Sequence, residues 1–255
     1  YIHTYIHTYI HTYIHTYIHR TVLKVLSFFI FSSKKRKEFR KRYSDFSITE
    51  FIRYKKMDYK IIPLGFNCYP RVIATYAGLK PRKIYGELSC PFDNVLCSSF
   101  GDVLNCLERN FEHYFDDIQM GEDNFYFNNI YKIRYLHDSF LSKDELVNRY
   151  KKRIKNFSKY LKSKKHIYFL FNGLKRDTVD FERLLAVLKK LRKDNFSIIF
   201  LDQNNASAPS EKLNNNIYII HEYEKLTNPD WSGELFAGKY PAAESNVQKL
   251  RAIIK

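Results

Sequence analysis

The sequence predicts an α/β domain of three layers, a mostly parallel sheet flanked by helices. Three observations lead there. Apolar runs of strand length recur at 59–64, 166–171, 196–201 and 217–220. Amphipathic helical segments fall between most of them. The runs are nearly continuous rather than alternating, as in strands covered on both faces.

Each element has its own signal. Residues 59–64 end at Gly65, and Pro70 sits in the first turn of a helix over 70–78 that stops at Gly78. Over 99–115, Phe100, Val103, Leu104, Leu107, Phe111 and Tyr114 share one helical face, with Ser99 and Asp102 as a capping pair. "IYKIRYL" (130–136) alternates and is rich in β-branched and aromatic residues, predicting a strand. Ser142 and Glu145 form a capping box for a helix burying Leu146, Val147, Tyr150, Ile154, Phe157 and Leu161. "HIYFLF" (166–171) is a strand, and 178–192 a helix carrying Leu184, Leu185, Leu188 and Leu191. "FSIIFL" and "IYII" are two further strands, and Pro241 opens a last helix with Val247, Leu250 and Ile254 inward.

The 255 residues divide into three regions. Residues 1–19 repeat the tetrapeptide YIHT, a period far too short for a solenoid and what a reiterated four-base unit encodes. Residues 20–56 read as a basic leader outside the fold, and Met57 as a fresh start, with 57–255 the single α/β domain. Net charge is +16; residues 1–56 hold 12 Lys/Arg against 3 Asp/Glu, a net +9, leaving +7 for the rest. The excess favours anionic partners, yet no zinc-finger spacing, aromatic RNA-binding motif or basic-zipper heptad accompanies it, so no specific nucleic acid is expected. The apolar run Val22–Phe31 is about half of what a spanning helix requires. Followed by a Lys/Arg cluster, it predicts either peripheral contact of residues 22–43 with an anionic membrane or a solvated basic tail, on an otherwise cytoplasmic protein. Cys68, Cys90, Cys97 and Cys106 form no CxxC pair. No zinc ribbon is therefore expected; no cleavable signal peptide is readable, so a reducing cytosol without disulfides is expected, and no metal or cofactor is implied.

In a parallel sheet the site lies beyond the carboxyl ends of the strands. The residues just past the five predicted strands are Gly65, Asn67 and Cys68, then His137 and Asp138, then Asn172, then Asp202, then His221. A cysteine at a strand–turn–helix joint stands where unpaired N–H groups favour the thiolate. Cys68 is thus the candidate nucleophile and His137 the candidate base, with Asp93 or Asp202 orienting the imidazole and His221 as second base. Gly65, Asn67, Asp138, Asn172 and His221 are candidate substrate contacts. Hydrolysis or acyl transfer on an acyl, peptide or glycan substrate follows. A nucleotide-sugar enzyme with phosphate held at Gly65, Asn67 and the helix N-terminus is the alternative, although neither DxD nor GxGxxG is present; a non-catalytic accessory domain is the third reading.

"LGFNC" (64–68), "PFD" (91–93), "FEHYF" (111–115), "YLHD" (135–138) and "YKKRIKNF" (150–157) occur in that order. Together they resemble a bacterial family of unknown function labelled papain-like cysteine peptidases. The resemblance covers most of 57–220 and implies Cys68 as nucleophile and His137 as base. It also implies an α+β papain-like fold, at odds with the layered reading. The leader resembles those of bacterial capsule and lipopolysaccharide glycosyltransferases, and the tetrapeptide repeat resembles phase-variable surface-glycan loci. Both imply surface-polysaccharide biology.

Overall fold

A computed structural model describes residues 21–65, 67–173, 180–202, 210–221, 235 and 241–254. The tetrapeptide repeat, Trp231 and the predicted helix start at 178–179 lie outside the described residues. The chain divides into two compact units, Tyr1–Lys56 with Ile84–Gly86, and Met57–Lys83 with Glu87–Lys255.

In the first unit, residues 21–28 form α1, followed by α2 (Ser33–Tyr43) and α3 (Ile48–Lys56). Ser32 caps α2, accepting from the Lys35 N–H. Tyr85 packs between Phe46 and Tyr54, with ring centroids at 5.3 and 5.2 Å, and donates to Glu50 at 2.9 Å. Val22, Val25, Leu26, Phe28, Phe29 and Phe31 are exposed.

The second unit is built on a five-stranded sheet ordered β1-β6-β7-β9-β8. These strands are β1 (Tyr59–Pro63), β6 (His166–Gly173), β7 (Phe196–Asp202), β8 (Glu211–Lys212) and β9 (Ile217–His221). The pairings β1–β6, β6–β7 and β7–β9 are parallel, and only the edge strand β8 runs antiparallel. Successive side chains of a strand face opposite ways. Phe169, Phe171, Ile198, Phe200 and Ile219 accordingly enter one core with α5 (Phe100–Glu108), α6 (Lys143–Leu161) and α7 (Phe181–Leu191). Leu170, Ile199, Leu201 and Ile220 enter the other, with α4 (Tyr69–Tyr76) and α8 (Pro241–Ile253). Helices on both faces explain the unbroken apolar runs. Both predicted capping boxes form, Ser99 with Asp102 and Ser142 with Glu145.

Two expectations fail here. The helix over 99–115 ends at Glu108. Asn110 and Phe111 turn left-handed (φ 48° and 62°), and the Phe111 N–H bonds back to the Cys106 carbonyl at 3.0 Å. Phe111 and Tyr114 reach the core through this turn rather than along a helix face. The predicted strand over 130–136 is a two-residue β5, Ile133–Arg134. It belongs to a separate antiparallel sheet, β2-β5-β4-β3, with β2 (Leu96–Cys97), β3 (Ile118–Met120) and β4 (Tyr126–Asn128). Lys132 (φ 48°) breaks the strand on its N-terminal side. The in–out alternation is real, since Tyr131, Ile133 and Tyr135 are buried and Lys132 and Arg134 exposed. What alternation cannot give is the partner strand. His137 and Asp138 therefore do not follow a strand of the parallel sheet.

Candidate functional site

The corner after β1 is tightly built. The Leu64 N–H continues the ladder to the Leu170 carbonyl at 2.8 Å. A Cβ on residue 65 would lie 2.7 Å from both the Asn67 carbonyl oxygen and Pro70 Cγ, and 2.9 Å from Asn172 Oδ1. Only glycine fits. Asn67 Oδ1 accepts from the Tyr69 N–H at 3.0 Å, fixing the turn. Cys68 is the N-cap of α4, and its carbonyl accepts from the Val72 N–H at 3.2 Å. It is half-buried, whereas Cys90, Cys97 and Cys106 are sealed in the core.

The Cys68 thiol is not primed as the helix N-terminus suggests. Burial raises its pKa, and a backbone hydrogen bond offsets this only in part. α4 has just eight residues, so little dipole accumulates to oppose the desolvation. At neutral pH the group is a thiol.

Around the same rim, register places Asn172 beside Leu201, and Asp202 between Gly173 and His221. Asn172 is fully buried, and neither its Oδ1 nor its Nδ2 has a hydrogen-bond partner among the described residues. It is the polar side chain packed against the Gly65 corner. His221 is clamped: Nδ1 lies 3.2 Å from Asp202 Oδ2, and Nε2 lies 2.9 Å from Glu211 Oε1. With both nitrogens facing carboxylates, neither is left to take a thiol proton. Three strand steps, β1 to β6 to β7 to β9, also put His221 roughly 14 Å from the end of β1. His221 is a rim group held by Asp202, and Asp202 is engaged there rather than with His137.

Asp93 is buried and pairs with Arg71 of α4, 3.6 Å away. Asp138, also buried, pairs with Arg149, accepts from the Tyr150 hydroxyl at 2.9 Å, and lies 3.4 Å from Arg153. It therefore anchors the middle of α6 and does not cap its start. His137 is exposed in the turn between β5 and α6. No hydrogen bond or ion pair joins it to Cys68, Asp93 or Asp202 among the described residues. The structure thus brings together Gly65, Asn67, Cys68 and Asn172 at one corner and Asp202 with His221 at another. It does not assemble Cys68, His137 and an acid into a bonded triad.

Sequence reasoning missed the basic partners. Arg71 stands one helical turn after Cys68, and Arg149 and Arg153 are spaced i,i+4 on α6. That spacing was the available signal. It also missed Lys80, fully buried, which donates to the Ile61 carbonyl at 2.5 Å and to Glu87 at 2.7 Å. A hollow of about 340 Å³ on the antiparallel sheet, lined by Leu96, Ser98, Phe127, Lys132 and Arg134, contains none of the candidate residues. Among the described residues no group of three or more His, Cys, Asp or Glu is placed to hold a metal ion. None of their helices is long and apolar enough to cross a membrane.

Fold and corner together define a mixed α/β chain with a mostly parallel sheet and a half-buried cysteine at a strand–helix joint. Comparison with family models, with curated proteins and with solved structures gives no match.

Proposed function

We propose that the chain is a cysteine-dependent acyl-transfer enzyme, a hydrolase or a transferase, with Cys68 as nucleophile. The observation that carries this reading is the Gly65–Cys68 corner. It holds the half-buried thiol, while the buried Asn172 carboxamide packs against it without a hydrogen-bond partner among the described residues. Cys68 Sγ attacks the substrate carbonyl carbon, and the carbonyl π electrons move to oxygen. In this reading Asn172 Nδ2 donates to that oxyanion, since at the start of α4 the Tyr69 N–H is taken by Asn67 Oδ1 and Pro70 has no N–H. The leaving group departs with a proton, and water or an acceptor hydroxyl then cleaves the thioester.

Because burial keeps the thiol protonated, the sulfur needs a base. His137 is the proposed acceptor: it is exposed and not engaged by any ion pair or hydrogen bond among the described residues. Replacing Cys68 by Ala should abolish turnover of an activated acyl ester with thermal unfolding unchanged; full activity in that variant ends the reading. His137→Ala should lower kcat by about 10²–10⁴.

The same proposal places the protein at an anionic membrane surface. Exposed Phe28, Phe29 and Phe31 precede the lysine- and arginine-rich α2. Co-sedimentation with phosphatidylglycerol vesicles should be strong at low salt and lost when the three phenylalanines become serine. Equal sedimentation of that variant would contradict membrane contact through this segment.

A further inference from the structure

We propose that Arg71, Lys83 and Arg153 form a binding site for a phosphoryl-type oxyanion, one helical turn beyond Cys68. The inference is independent of the Cys68 chemistry. It rests on buried charge whose hydrogen bonds are not made. Arg71 is 9% exposed and Arg153 5% exposed. The Nη1 of each is buried with no hydrogen-bond acceptor. Each has a carboxylate nearby, Asp93 at 3.6 Å and Asp138 at 3.4 Å, but neither contact is a hydrogen bond. Asp93 accepts no hydrogen bond on either oxygen. Asp138 is already engaged by Arg149 and the Tyr150 hydroxyl.

Buried donors left unmade are costly, and guanidinium donors more so than neutral ones. Water could accept such protons but would neutralise no charge. Arg71, Lys83, Arg149 and Arg153 face the carboxylates Asp93 and Asp138, while Glu87, which also interacts with Arg71, is already paired with Lys80 and Lys60. Lys83 registers this excess. Its pKa is lowered first by burial, then by Arg153 and Arg71, with Asp93 opposing and Arg149 adding a smaller push. The three groups come from separate segments, α4, the loop after it, and α6. A tetrahedral phosphoryl group offers acceptors in several directions at once and matches the guanidinium fork. Bound there, it would complete both Nη1 groups and bring the Lys83 pKa back up toward its ordinary value.

The test uses the full chain, titrated calorimetrically with inorganic phosphate, pyrophosphate and ADP. In parallel, acylation of Lys83 by an amine-reactive ester is mapped by mass spectrometry. The expected result is saturable binding of pyrophosphate, with Lys83 acylation slowed several-fold as the bound anion raises its pKa. Lys83 is exposed enough for Lys83→Ala to fold, and this variant should bind about tenfold more weakly. ADP binding tighter than pyrophosphate supports the site and assigns it to a nucleotide-linked ligand. Equal binding supports it and assigns a free oxyanion. Absence of saturable binding, or identical affinity in wild type and Lys83→Ala, overturns the proposal, the latter by placing the anion elsewhere on the basic surface.

Discussion

Replacing Asp138 by Ala is expected to lower the free energy of unfolding by about 3–5 kcal/mol, measured by urea denaturation. Asp138 is 1% exposed and faces three groups of α6, Arg149, Tyr150 and Arg153. Arg149 can turn toward water, being more than a third exposed. Arg153 cannot, because its side chain is 6% exposed and stacked over Tyr150 at 4.4 Å. Removing the carboxylate therefore leaves a buried cation without a counter-charge. The same change leaves the buried Tyr150 hydroxyl without its acceptor. A drop under about 1 kcal/mol, the range of exposed ion pairs, would mean that the site is far wetter than its burial indicates.

Lys80→Met is expected to have a similar effect, about 3–5 kcal/mol at neutral pH. Lys80 ties Glu87 to the Ile61 carbonyl of β1, all three groups being buried. Burial alone would push the Glu87 carboxyl up. Lys80 and then Lys60, 3.4 Å away, more than reverse this, and the folded pKa lies below the ordinary glutamate value of 4.5. A depressed carboxyl contributes stability that is present above its unfolded pKa and lost as pH falls through its folded pKa. Wild-type unfolding free energy should therefore decline on acidification below about pH 4.5, and the Glu87-dependent part of that decline should shrink in Lys80→Met. An unchanged acid profile in the variant would show that Lys80 does not hold Glu87 ionised.

The sequence made the parallel sheet legible because four of its strands are buried on both sides and read as unbroken apolar runs. The helix caps were legible because Ser99–Asp102 and Ser142–Glu145 act over three residues. The antiparallel sheet was not, since strands of two or three residues are too short for a periodic signal. The helix over 99–115 was overextended for a related reason: a left-handed turn returned Phe111 and Tyr114 to the core at helix-like spacing. At the site, the Gly65–Cys68 corner was readable because glycine, turn and helix start are contiguous. The charged cluster was not, because Arg71 meets Asp93 and Asp138 meets Arg153 across intervals that pattern reading does not span. The ionisation of Cys68 was misjudged because a helix start is visible in sequence while the burial of its first side chain is not.

The most direct test of the account is to expose the native chain to a slowly turned-over activated acyl ester and locate the adduct by mass spectrometry. The account predicts one acyl thioester, on Cys68, formed faster than on the urea-unfolded chain and discharged by solvent water, or faster when an amine acceptor is added. Acylation of Cys68 no faster than in the unfolded chain, or first at Cys90, Cys97 or Cys106, would contradict it.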